Sequence, residues 1–364
     1  MFAYFSFLGF ALLQWILLFP NGKLVSSHAL SYKHKKIFLM LICVELIIFT
    51  GLRAPTIGAD TGIYVQALNY YRDLPHDQIL SAPLVYPFDF EIGYFIFTKV
   101  CAYFSLNTTA FLLLVSFIIY VPIFKFIKQY SEDPMISLLT YFSFGFFGYS
   151  LGIFRQMIAL SLVLCGIKYI QNGKLKSWIV LVIIATLVHT TAIITFPLYW
   201  IVKFRVKNKL GLIIIIEAIL FVFARQIVVF IAYLFPKYRN YVNSEYDIQG
   251  GSYIFLILLN LVFLLGYYLL IKGRIKEDKI FIFTLNALLV AIFLQILGYS
   301  MEIFGRIIPY YSIYLLILIP KTMNCYLRRN RLIWNIIIIG GLLMIFYIIT
   351  KDNITITPYL FYWN

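Results

Sequence analysis

Fourteen residues, Gly51-Leu52-Arg53-Ala54-Pro55-Thr56-Ile57-Gly58-Ala59-Asp60-Thr61-Gly62-Ile63-Tyr64, put an arginine, an aspartate, three glycines and a proline directly behind a membrane-length apolar run. Crossing a bilayer requires none of them. A guanidinium stays charged and can grip a phosphate through two parallel N–H bonds. An aspartate can take a proton where burial or a neighbouring charge tunes it. The combination suits an anionic, sugar-like substrate handled at a membrane surface.

Other polar residues stand at comparable places. Glu91 follows the same polar loop, in Phe90-Glu91-Ile92-Gly93-Tyr94. Arg155-Gln156 follows the glycine-rich turn Gly145–Gly152, and His189 interrupts an apolar run with Thr190 and Thr191. Glu302 and Arg306 precede another apolar run, and Tyr238 and Tyr241 share a short loop with Lys237 and Arg239. Ionisable residues at bilayer depth are costly and mark function. Arg155 and Arg306, assisted by Arg53, are expected to bind a phosphate or pyrophosphate. The general base is Asp60 or His189, with Glu91 a further acid of the catalytic set. Gln156, Tyr64, Tyr238 and Tyr241 are candidate glycan contacts. Each has a plainer alternative. Arg53 can anchor at the interface, Asp60 can cap a turn after Gly58, His189 can tie helices together, and Glu91 can pair with Lys99. Glu45, Glu217 and Arg225 lie inside apolar runs and are read as structural partners or cavity lining.

The elements that must carry these residues are membrane helices. Hydrophobic residues make up 62% of the 364 and charged residues 12%, about half the charged share of an ordinary soluble domain. Apolar stretches near 20 residues recur throughout, which is the length that crosses a bilayer as a helix. The net charge of +15 does not point to nucleic acid, because 21 of the 30 Lys/Arg fall in six short segments, 20–36, 125–133, 168–176, 203–209, 272–279 and 321–331. Such segments belong on the cytoplasmic side, beside anionic lipid. The acidic loop 53–92 and the loop 236–251 then lie outside, as do both termini. The run 2–19 lacks a basic leader and a cleavage motif, so it is expected to remain as a helix.

Charge parity yields an all-α polytopic protein of one integral membrane domain, with about 10–12 transmembrane helices. Two places break the parity. The run 91–106 is short and charged, and is expected to be re-entrant. The run 177–202 joins two basic loops by itself and is expected to break near His189 into two half-helices. Broken helices at membrane depth face protein or a wet cavity and recur at transport and transfer sites. Cys43, Cys101, Cys165 and Cys325 show no metal spacing. There is no P-loop and no clear acidic ligand cluster, so neither a cofactor nor a metal is expected.

Five motifs, in this order, resemble the EpsG family of Wzy-like exopolysaccharide polymerases: Arg53, Gly58, Asp60 and Tyr64; Phe90, Glu91, Gly93 and Tyr94; Phe154, Arg155, Gln156, Ile158 and Ala159; Ala185, His189, Thr191 and Ala192; and Tyr238, Tyr241, Gly305, Arg306, Ile307 and Tyr310. Thr191 stands where Ser is more usual. The resemblance implies a GT-C-like membrane glycosyltransferase that polymerises undecaprenyl-pyrophosphate-linked repeat units on the outer leaflet of a bacterial plasma membrane. Donor and acceptor would both be lipid-linked glycans. A flippase and a chain-length regulator would be companion proteins. The alternatives are a lipid-linked oligosaccharide flippase, which would show charges along the whole crossing path and repeated halves, and a membrane acyltransferase acting on polysaccharide.

Overall fold

The computed structural model describes residues 1–19, 32–234, 242, 252–275, 278–301, 305–326 and 331–363. Every regular element among them is helical, and the one β-type pairing is an isolated bridge between Arg53 and Phe361. The chain divides into two compact units, Met1–Ile193 with Leu327–Asn364, and Ile194–Tyr326.

The first unit begins with α1 (Phe2–Leu18), α2 (Tyr32–Gly51), α3 (Thr61–Arg72), α4 (Ile92–Tyr103) and α5 (Thr108–Tyr130). It continues with α6 (Pro134–Ser143), α7 (Phe146–Gly152), α8 (Phe154–Cys165), α9 (Ile167–Gln171) and α10 (Leu175–Val188). The helix Arg331–Thr350 returns to pack on α6, while α2 packs on α5, α5 on α8, α8 on α10 and α3 on α4. The apolar faces explain these pairings. Phe38, Ile42 and Leu46 of α2 recur at helical spacing and are buried, as are Leu112, Val115, Ile119 and Ile123 of α5.

Small hydroxyls tie the helices together. Thr50 Oγ1 lies 2.9 Å from Ser116 Oγ, Ser161 Oγ donates to Ile119 O at 3.0 Å, and Ser143 Oγ donates to Leu342 O at 2.7 Å. Each such bond contributes about 0.6 kcal/mol in a membrane protein.

The second unit holds the helices Leu210–Leu234, Tyr253–Ile271, Lys279–Ser300 and Leu315–Tyr326. Asp278 caps Lys279–Ser300 by accepting from Ile280 N at 3.0 Å, and also pairs with Lys321. Asn286 Nδ2 donates to the carbonyls of Ile201 and Phe204, at 2.8 and 2.7 Å.

Among the described residues, four helices are long and apolar enough to cross a membrane: α5, Leu210–Leu234, Tyr253–Ile271 and Lys279–Ser300. The pair α6 and α7 makes a fifth if it is one span bent by 62°. The apolar run 134–150 is not one straight helix. It bends because Gly145 takes φ +81°, a left-handed turn that ends α6 and starts α7. Helix α4 is 12 residues long, or roughly 18 Å, too short to cross a core of about 30 Å. Its exposed stripe Ile92, Ile96, Val100 and Phe104 suits lipid. Helix α10 stops at Val188, and His189 leaves it in extended conformation, so the chain breaks at the expected residue. Most of the basic segment 20–36, Glu302, and the loop 236–251 with Tyr238 and Tyr241 lie outside the described residues, apart from Val242.

The start of α6 offers a test. Buried Asp133 precedes Pro134 and accepts from Met135 N and Ile136 N, each at 3.0 Å. Burial pushes its carboxyl up to about 7, against the opposing pull of those two amides. The folded protein therefore keeps this proton where the unfolded chain has lost it. The stability attached to the group is complete at low pH and falls as pH rises from about 4 towards 7. The Asp133→Asn variant retains a cap without the charge. Its unfolding midpoint in detergent should gain on that of the wild type across this range, whereas Asp133→Ala, which loses the cap, should be less stable by about 1 kcal/mol.

Candidate functional site

Three distant segments of the first unit meet at one carboxylate. Arg155 Nη1 lies 2.6 Å from Glu91 Oε2, and His189 Nδ1 lies 3.0 Å from Glu91 Oε1. Thr190 donates to Oε1 through both its backbone N–H and its hydroxyl, each at 3.0 Å. Arg155 Nη1 also reaches Asp89 O at 3.3 Å.

Local structure explains the meeting. Glu91 is extended and immediately precedes α4, His189 is extended and immediately follows α10, and Arg155 is the second residue of α8. Gly93 lets α4 and α10 approach at their ends, since a Cβ built there would lie 2.7 Å from Leu187 O and 3.2 Å from Val188 N. Both neighbours are backbone and cannot swing aside.

Burial opposes ionisation of Glu91, but the hydrogen bond from His189 and the charge of Arg155 outweigh it and hold the carboxyl well below the usual range. An ionised Glu91 can only accept. His189 therefore donates through Nδ1–H, and in the neutral ring Nε2 carries the lone pair. A saturated, weakly basic carboxylate makes a poor proton acceptor and a good organiser of an imidazole.

Aromatic rings surround the arginine. Arg155 Cζ is 5.0 Å from the Phe90 ring centre and 5.9 Å from that of Tyr64. Tyr64 stacks on Phe154 at 4.8 Å, and Arg53 Cζ lies 5.1 Å from the Phe154 ring. An Arg53–Phe154–Tyr64–Arg155 series thus leads from the end of α2 to the carboxylate.

Arg53 is 1% exposed and donates to Leu151 O at 2.9 Å and to Thr50 O. This placement commits it to main-chain carbonyls and makes it an internal strut. Tyr64, expected as a weak glycan contact, is 1% exposed within the same stack, and Gln156 is 0% exposed. Asp60 occupies the position before α3, half-buried, but its side chain caps no amide there. Lys99 does not pair with Glu91. Its ammonium is held by Leu80 O and by Ala82 O, the latter at 2.9 Å, which pins the loop before α4. Arg306 is an exposed residue of the second unit.

Two contributions were not read from the sequence. One is the pair of hydrogen bonds from Thr190. The other is the segment 351–363, which runs alongside Leu52–Ala54. Ala54 N donates to Leu360 O and Tyr362 N to Leu52 O, both at 2.9 Å, and Gly58 N donates to Thr355 O at 2.7 Å. Tyr359 adds a bond to Phe49 O, and its ring lies parallel to the Phe49 ring at 4.5 Å. The aromatic-rich run Tyr359-Leu360-Phe361-Tyr362-Trp363 directly after Pro358 is a composition that could have indicated an extended, paired segment.

The EpsG family model matches residues 36–361. No curated protein matches the chain, and no solved structure does.

The geometry separates two kinds of damage. Gly93→Ala should drive α4 from α10 and lower both polymer output and the unfolding midpoint, by about 1–3 kcal/mol for a forced backbone shift. Tyr362→Pro removes one N–H from the pairing with Leu52. It should destabilise the Arg53 loop, which protease sensitivity between residues 53 and 60 will report.

Proposed function

The chain belongs to the EpsG family, and from that premise we propose that it joins undecaprenyl-pyrophosphate-linked repeat units into polysaccharide at the outer face of a bacterial plasma membrane. The family and the apolar helices make it a multi-pass membrane protein of the polysaccharide repeat-unit polymerase type. The reaction chemistry and the residue roles are our reading of the first unit, with a GT-C-like reaction class. The observation that carries it is the Glu91–His189–Arg155 cluster.

A sugar hydroxyl of one lipid-linked repeat attacks the anomeric carbon of another chain. The bond from that carbon to the pyrophosphate oxygen breaks, and its electron pair leaves with the lipid pyrophosphate. The hydroxyl proton must go to a base, and the leaving anion must be stabilised. Glu91 fixes His189 with Nδ1–H towards itself, so Nε2 is the acceptor for the hydroxyl proton, the logic by which a carboxylate orients a histidine in other group-transfer sites. This favours His189 over Asp60 as the base. Arg155 is held to Glu91 through Nη1 and also bonds the Tyr64 hydroxyl, and the exposed remainder of its fork is assigned to the pyrophosphate. Preorganised positive charge is often the largest single contribution to such a reaction. The energy resides in the pyrophosphate link, so no nucleotide is required. The lipid-linked glycans are the partners, and a flippase supplying them and a chain-length regulator are the companion proteins.

The test is polymer length on a gel, with lipid-linked intermediates extracted in parallel. Arg155→Ala and His189→Ala should leave single repeat units on the outer leaflet without long chains, a loss of about 100-fold or more. Arg155→Lys should also fail, because a point charge cannot hold Glu91 and a phosphate as a fork does. Repeat units trapped on the inner leaflet would indicate a flippase instead. Normal chains with altered decoration would indicate an acyltransferase.

A further inference from the structure

A concave site lies in the first unit, with none of the Glu91, Arg155 and His189 side chains among its lining. It is a half-open pocket of about 280 Å³ between the turn after α6, the end of helix Arg331–Thr350 and the segment that follows it. Ala59, Gly148, Tyr149, Ile153, Thr350 and Asn353 are among the residues around it, and none of its lining residues carries a charge. We infer that this pocket binds one neutral, hexose-sized ring of the glycan, an inference that rests on the polymerase reading above.

Three observations support this occupant. The uncharged lining cannot neutralise a phosphate, so the pyrophosphate belongs elsewhere. The volume lies just under the range of drug-sized ligand sites, which runs from roughly 300 to 1,000 Å³. It has room for a single ring and none for a long prenyl chain. The lining also mixes an aromatic ring and bare glycine backbone with a few polar groups, as sites for small polar ligands do. Asn353 Oδ1 accepts from Thr355 N at 3.1 Å and from Thr355 Oγ1 at 2.7 Å, which fixes the carboxamide and leaves its NH₂ as a donor for a sugar hydroxyl.

The position links the pocket to the chemistry. Ala59 is the residue before Asp60, and Ile153 is two residues before Arg155. A ring held here is anchored on the backbone that also sets both of those side chains. The segment 351–363 thereby has a second task, since besides bracing Arg53 it supplies one wall of the pocket through Asn353, Thr355 and Ile356.

Gly148 is the place to test this. A Cβ there meets only Ile356 Cδ1, at 3.7 Å, so a small side chain is tolerated and a large one enters the pocket. The probe is the repeat-unit oligosaccharide released by mild acid from the host's lipid-linked intermediates. It is titrated against the full chain in nanodiscs, alongside undecaprenyl pyrophosphate without glycan. Gly148→Leu should weaken oligosaccharide binding about tenfold and leave the lipid pyrophosphate unchanged. Asn353→Ala, which removes the NH₂ donor together with the acceptor for Thr355, should act in the same direction by losing polar contacts. Arg155→Ala should do the reverse and weaken the lipid pyrophosphate. Unchanged oligosaccharide binding in Gly148→Leu and Asn353→Ala would overturn the inference, as would loss of lipid binding in their place. Wild-type protein that binds the oligosaccharide but forms no polymer would sink the polymerase reading while leaving the pocket assigned.

Discussion

The carboxylate of Glu91 is the interaction on which the candidate site of the first unit depends. It accepts from Arg155, from His189 and twice from Thr190. Those partners come from the start of α8 and from the break after α10, while Glu91 itself precedes α4. A buried charge of this kind is tolerable only when its lone pairs are filled, and removing one partner leaves the remainder uncompensated. The site therefore behaves as a unit. Losing the guanidinium also loosens the imidazole, and separating α4 from α10 disturbs both.

A second constraint lies behind the first. Arg53 is a buried cation without a carboxylate among its named contacts. It is accommodated by the carbonyls of Thr50 and Leu151 and by the face of Phe154. The segment 351–363 covers this residue by pairing with its flanking backbone. Phe154 and Tyr64 then carry the packing to Arg155. Two arginines that look equivalent in the sequence thus do different work. One braces the backbone from inside, and the other faces the carboxylate from a partly exposed position.

The membrane accounts for the irregular elements. Backbone groups inside a bilayer must be satisfied within the protein, so a helix that stops early needs a local reason. Gly145 provides one between α6 and α7, and His189 and Thr190 provide another after α10. Both irregularities adjoin the pocket or the carboxylate cluster. Within the first unit the regular helix α5 packs against α2 and α8 and supports them.

Composition and periodicity were sufficient for the all-helical membrane class, because a bilayer demands long apolar runs and few charges, and that demand is written locally. The break at His189 was legible for the same reason, since three polar residues interrupt an otherwise apolar run. Glu91, Arg155 and His189 could be singled out by type, because ionisable residues are rare in such a chain. Their mutual arrangement could not, since it joins residues 64 and 98 positions apart. Nor could the sequence tell Arg53 the strut from Arg155 the site residue, or show that Lys99 holds a loop instead of Glu91. Hydrogen-bond partners are selected by which helix ends the packing brings together, and that depends on close approaches such as Gly93 against Leu187. Residue types determined what chemistry this protein could carry. Only the tertiary packing decided which charge meets which.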